Sequence, residues 1–297
     1  MRSRLVSLGL SALMLSQPAI VCGEQPSVTY SPDGPWVANW AADGCRISRT
    51  MRNGDGETDL VWFHQNAPSR AVQLGFASNV IDIAGYERVS VRFGEQAWQQ
   101  SPARGTELEG FDHAMMVANA FPLARDMDKQ NVSELSDSAY GRLIRPLDIP
   151  EEGQENFVEI AAGNRTLRFS TGALAPVFAA LNACTSDLLA DLGIDQSQLL
   201  DAVEAPELRN EQTILKSLIG RLSNGESKGA IAFWLVVNAD GRVETCGMRS
   251  PLMDDKDSEW ACRYTRAKAR FEPGRNADGL PVNSLYRGVF TFFQVPF

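Results

Sequence analysis

The stretch from Gly229 to Val237 leaves the chain little choice of conformation. Ile231, Phe233, Leu235 and Val237 alternate with Ala230, Ala232, Trp234 and Val236. Strand side chains point to opposite faces with period two, so the first four share one face. Asn238-Ala239-Asp240-Gly241 follows, a turn whose Asp-Gly pair tolerates positive φ. Arg242 to Met248 returns as the second strand of a hairpin. Acidic residues then crowd Asp254 to Glu259, and Arg266, Lys268 and Arg270 close the segment from Trp260 to Arg270. A helix macrodipole favours that distribution. Pro273 disfavours α geometry at the residue before it and stops the helix. A second turn, Asn276 to Pro281, precedes a last strand from Leu285 to Phe297. On that strand Val289, Thr291, Phe293, Val295 and Phe297 share a face. The order is strand, strand, helix, strand. The helix returns the chain along the sheet, so an all-antiparallel sheet needs the order second, first, third. The last strand then lies at an edge.

Three motifs in this region carry a resemblance. They are Asp240-Gly241-Arg242-Val243, Arg270-Phe271-Glu272-Pro273 and Asp278-Gly279-Leu280-Pro281-Val282. In this order and spacing the last quarter of the chain resembles the TonB C-terminal domain family. Arg221-Leu222-Ser223-Asn224-Gly225 stands where that family usually has a tyrosine-proline pair. The resemblance implies a β-β-α-β domain that grips an extended peptide from an outer-membrane receptor by strand addition. On this chain the gripping edge maps to Tyr286, Arg287, Val289, Thr291, Phe293 and Val295.

At 100° per residue the C-terminal helix has three stripes. Ser258, Ala261, Cys262, Thr265 and Ala269 are small, Arg263, Arg266 and Arg270 basic, and Trp260, Tyr264 and Phe271 aromatic. Hydrophobic-moment logic turns the aromatics to the sheet. The family resemblance turns the small stripe there instead, with Phe271 entering the core past the helix end. The cysteines bear on this choice. Of five, Cys22 lies in a leader, and the other four allow three connectivities in an exported protein. Cys246 on the second strand meets Cys262 only if the small stripe faces the sheet, which leaves Cys45 to pair with Cys184. Trp260 and Tyr264 then point away from their own sheet and form a docking surface for other parts of the chain or for a partner.

Residues 1–23 read as a signal peptide. Arg2 and Arg4 precede an apolar run from Leu5 to Leu15, too short to span a bilayer, and Gly23 offers a cleavage point. The mature protein is therefore expected in the periplasm, without a membrane span. Net charge is −9; residues from Lys228 onward carry +2 and the rest −11. An acidic body argues against nucleic acid and anionic membrane surfaces as partners.

Residues 24–194 read as a β-rich domain ending in a helix from about Ala173 to Leu192. Residues 195–227 read as a connecting segment with a helix from Glu211 to Leu222, and 228–297 as the C-terminal domain. In the N-terminal domain, Arg46 to Met51 and Asp59 to Phe63 flank a hairpin turn. Short strands follow at Ala71 to Phe76, Val89 to Phe93, Phe157 to Ala162 and Thr166 to Phe169. Cys184 lies on the apolar stripe of the long helix, beside Leu181 and Leu188, which suits a structural role.

Motifs for chemistry are sparse. Asn53, Asp55, Glu57 and Asp59 alternate with small residues, yet the calcium-loop pattern needs Gly at its sixth position and Glu at its twelfth, and Thr58 and Gln65 fill neither role. His64 and His113 lack a nucleophile in a Gly-x-Ser-x-Gly setting. Asp126 and Asp128 sit between Arg125 and Lys129 as surface charge. No cofactor or metal is expected. The reading is an α+β, periplasmic, non-enzymatic protein that binds an extended peptide or envelope partner, such as an outer-membrane receptor, with a link to TonB-type transport. A homodimer stays open. The competing class is an envelope enzyme with its site in residues 24–194.

Overall fold

The computed structural model describes residues 27–41, 44–83, 85–122, 143–150, 156–222, 228–249 and 253–293. The leader, Asp126 and Asp128, and Val295 lie outside them. The described residues are mixed α+β and strand-rich, with three α-helices.

The N-terminal region contributes β1 (Ser27–Pro32), β2 (Val37–Ala41), β3 (Gly44–Asn53), β4 (Thr58–Gln65) and β5 (Val72–Ser78). It continues with β6 (Arg88–Phe93), β7 (Gln99–Leu108), β8 (Phe111–Ala120), β9 (Val158–Ala162) and β10 (Arg165–Phe169). Their sheet runs β1-β10-β9-β6-β7-β8-β5-β4-β3-β2, and β1 also pairs with β3. That last pairing turns an open sheet into a barrel. β1 runs parallel to β10 from Ser27 to Tyr30 and antiparallel to β3 from Tyr30 to Pro32. Closure removes the exposed edges that an open sheet leaves. β2 stays outside the ring, paired with the first half of β3.

Side chains fill the barrel. Tyr30, Phe63, Phe76, Phe93 and Phe169 are fully buried, and Tyr30 stacks on Phe169 at 5.0 Å. One end is sealed by α1 (Ala175–Asp191), whose Phe178 packs edge-on against Phe63 and Phe93. Pro176 suits the first helical turn, where its missing N–H is no loss. Gly193, at φ +71°, ends the helix, and the Gly193 and Ile194 amides donate to Ala190 and Leu189 carbonyls. A disulfide joins Cys45 on β3 to Cys184 on α1.

The C-terminal region contains β11 (Glu207–Leu208), α2 (Glu211–Leu222), β12 (Lys228–Val237), β13 (Val243–Arg249), α3 (Asp255–Lys268), β14 (Phe271–Glu272) and β15 (Ser284–Phe293). A three-stranded antiparallel sheet has the order β13-β12-β15, and β11 pairs with β14 as a separate ribbon. Every residue from Ile231 to Val237 is buried. The central strand is thus covered on both faces, which explains its unbroken apolar run. Ile231, Phe233, Leu235 and Val237 face a core shared with Leu208, Ile214, Leu218, Ala261 and Phe271. Ala232, Trp234 and Val236 face the barrel side, against Ala67, Leu188, Leu189, Ile194 and Leu199. The helix of residues 195–227 therefore belongs to the same core as the C-terminal sheet.

Candidate binding edge of the C-terminal sheet

Local chemistry sets the frame of this sheet. Asn238 Oδ1 accepts from the Asp240 and Arg242 amides, and Asn276 Oδ1 repeats the device with Asp278 and Leu280. Gly241 has φ +74°, and a Cβ there would sit 2.3 Å from the Phe271 carbonyl oxygen, so only glycine fits. The Phe271 amide donates to the Gly241 carbonyl, and the Val282 amide to the Gly274 carbonyl. The first two motif segments thus meet in space, and the third reaches Gly274, just past the second. Phe271 lies past the helix end, edge-on to Tyr286 at 5.0 Å.

Helix α3 starts at Asp254, whose carboxylate accepts from the Asp257 amide at 2.8 Å. Its small stripe faces the sheet: Ala261 and Thr265 are buried, and the Ser258 hydroxyl donates to the Met248 carbonyl. Cys262 reaches Cys246 on β13 in a disulfide with Cα atoms 5.6 Å apart. Trp260 and Tyr264 point away from the sheet, stacked at 5.4 Å. Their cover is α2. The Tyr264 hydroxyl donates to Ser217 at 2.8 Å, and the Arg221 guanidinium sits 4.5 Å from the Trp260 ring centre. The pair is half-buried inside the chain's own packing.

Among the described residues, β12 is the sole strand paired with β15, along ten registered pairs from Lys228↔Phe293 to Val237↔Ser284. The opposite side of β15 carries the backbone groups of an edge. Side-chain use along it is uneven. Tyr286 is buried on the α3 face, and its hydroxyl donates to Glu211 Oε1 at 3.4 Å. Arg287 points to the barrel and donates to Asn66 Oδ1 at 2.8 Å. It is half-buried with Nε out of solvent, and burial lowers its pKa to about 10, so it stays charged at neutral pH. The side chains of Tyr286 and Arg287 therefore serve the chain's own packing. Val289, Thr291 and Phe293 pair with Ala232, Ala230 and Lys228 along the backbone.

Asn66 had no signal in the sequence, yet two contacts converge on it. Its carbonyl accepts from Trp234 Nε1 at 2.7 Å, and its side chain accepts from Arg287. It stands in the loop between β4 and β5 and fastens the sheet to the barrel.

The other candidates settle into ordinary roles. Asn53 Oδ1 accepts from the Asp55 and Glu57 amides, which makes that acidic stretch a hairpin turn. His64 Nδ1 lies 2.9 Å from Gln73 Oε1, and His113 lies 3.6 Å from Asp82. Among the described residues no group of three or more His, Cys, Asp or Glu converges as a metal site would. No helix among them is long and apolar enough to cross a membrane. Comparison with protein-family models and with curated proteins finds no match to this chain.

Proposed function

We propose that this chain is an exported, non-enzymatic binding protein whose TonB-like C-terminal domain takes an extended peptide against the open side of β15. The observation that carries the reading is the strand order β13-β12-β15, which leaves β15 paired on one side among the described residues. An edge strand offers main-chain hydrogen bonds to an incoming strand, and its alternating side chains select among candidates. Tyr286 and Arg287 serve the protein's own packing with their side chains, so they offer a partner main-chain groups. The two disulfides favour an oxidising compartment, in line with the leader read in residues 1–23. The barrel supports a scaffolding role, because aromatic side chains occupy its interior.

The partner class is a segment of an outer-membrane receptor. Peptides copied from periplasm-facing receptor segments, added to the mature protein, are expected to slow amide exchange from Tyr286 to Phe293. If every such peptide leaves those amides unchanged while binding elsewhere, strand addition at β15 is wrong.

A further inference from the structure

The sheet has a second edge, and it is built differently. A groove of about 500 Å³ runs beside β13. Four consecutive β13 residues, Cys246 to Arg249, line it, so it is bounded by the strand's edge and not by one face. One wall is a stripe of α3 that includes Ser258, Cys262, Arg263 and Arg266. The other is Leu192, just past the end of α1, whose side chain lies so close to Gly247 that a Cβ there would meet it at 2.7 Å. The Cys246–Cys262 disulfide ties strand to helix and fixes the width between them. Among the described residues β13 pairs as a strand with β12 alone; the Met248 carbonyl is taken by the Ser258 hydroxyl of α3, and the remaining outer backbone groups face this groove.

The charge lining is not neutral. Arg249 from the strand and Arg263 and Arg266 from the helix converge on the groove, against Asp255 and Glu259. Glu259 engages Arg263 at 3.4 Å, an exposed pair of small worth. The excess of guanidinium sits on a unit of charge +2, in a chain whose remainder carries −11. Guanidinium groups in a planar fork match carboxylates well.

We propose that this groove is a second strand-addition site, independent of β15, and that its occupant is an extended peptide with acidic side chains. The peptide backbone pairs with Val243 to Arg249. Its carboxylates on the α3 side meet Arg263 and Arg266, while Arg249 stands on the opposite face of β13, the face of its register partner Ala232. Leu192 and the disulfide take the side chains that point inward. The domain then offers two edges with distinct preferences, and the acidic partner selects β13.

The test uses the full mature protein and an acetylated Val-Glu-Val-Glu-Val-Glu-Val peptide, with its Val-Lys counterpart as control. The expected result is slowed exchange at Val243 to Arg249 with the glutamate peptide and none with the lysine peptide. Affinity should fall about tenfold when salt rises from roughly 0.05 to 0.5 M, and by a similar factor in R263E/R266E. Both arginines are exposed, so the variant is expected to fold, and the lysine control needs no variant at all. Equal binding of both peptides would overturn the proposal. So would binding of the glutamate peptide that protects Tyr286 to Phe293 alone, a result that leaves the β15 reading intact. Binding of inorganic phosphate with the same salt dependence, without protection of β13 amides from any peptide, would make the groove a simple anion site and also overturn it.

Discussion

Asp59 is the residue whose chemistry is hardest to infer from its neighbours in sequence. It looks like part of an acidic hairpin, yet its side chain turns into the barrel and is 1% exposed. Tyr30, across the closing seam, and Ser78, on the next strand, are its polar neighbours. Burial raises its pKa, the nearby Tyr30 and Ser78 hydroxyls partly oppose the rise, and Glu57 adds to it. Burial also raises the pKa of Tyr30, with Asp59 as the next cause. A carboxyl raised on folding holds its proton more firmly in the native state. Its contribution therefore favours the fold below the ordinary carboxylate value and fades as pH climbs through the raised one. Asp59→Asn is expected to raise the thermal midpoint at neutral pH and to flatten its fall with rising pH. Melting curves taken across the acid-to-neutral range measure both, and a lower midpoint at every pH counts against a protonated Asp59. The second residue-scale prediction concerns Trp234. Replacing it with Phe removes the part-buried bond to the Asn66 carbonyl, at a cost of about 1 kcal/mol. Denaturant unfolding of Trp234→Phe reads that loss; an unchanged midpoint means that water replaces the indole.

Among the elements, helix α3 shows best how much the sequence disclosed. Its acidic start and basic last turn were legible, because capping and dipole effects act within one turn, but it ends at Lys268, short of the expected stop at Pro273, because Phe271 and Glu272 leave it to pair with β11. Its orientation was not legible from its own residues, since the aromatic stripe is the more apolar. What decides it lies far along the chain. α2 brings Ser217 and Arg221 to the rings, and Cys246 waits on β13 for Cys262. The β-strands divide in the same way. β12 and β4 announce themselves through unbroken apolar runs. β7 does not, because its inward positions are Gln99, Ser101 and Ala103. Gln99 holds its place by exchanging two hydrogen bonds with the Phe121 backbone, a contact no periodicity reveals. The edge position of β15 was legible from connectivity alone, whereas the groove beside β13 needed α1 and Leu192 in place. The Cys246–Cys262 crosslink spans 16 residues, and the chain-entropy estimate for such a loop is about 3 kcal/mol. C246S/C262S is expected to lose roughly that much stability and to speed amide exchange in α3 and β13 while the barrel keeps its protection. Uniform loosening of both regions in exchange mass spectrometry would show that the crosslink serves the whole chain instead.

At the scale of the whole molecule, three layers follow one another: barrel, α1, and the C-terminal sheet under α2 and α3. Closure of the barrel rests on the six residues of β1, which bridge β10 and β3. Deleting residues up to 32 strips both neighbours of their partner and exposes two edges. The truncated protein is expected to associate in size-exclusion runs, and a clean monomer of native spectrum would show that β3 and β10 close without β1. The sheet, for its part, is held to the barrel at Asn66 by its central strand and by β15. That attachment has a mechanical meaning. A partner that pulls on β15 along its length loads ten registered backbone pairs at once, in shear, and not one pair after another. The tension passes through Trp234 and Arg287 into the loop at Asn66, and from there into a ring of strands that has no free end to peel.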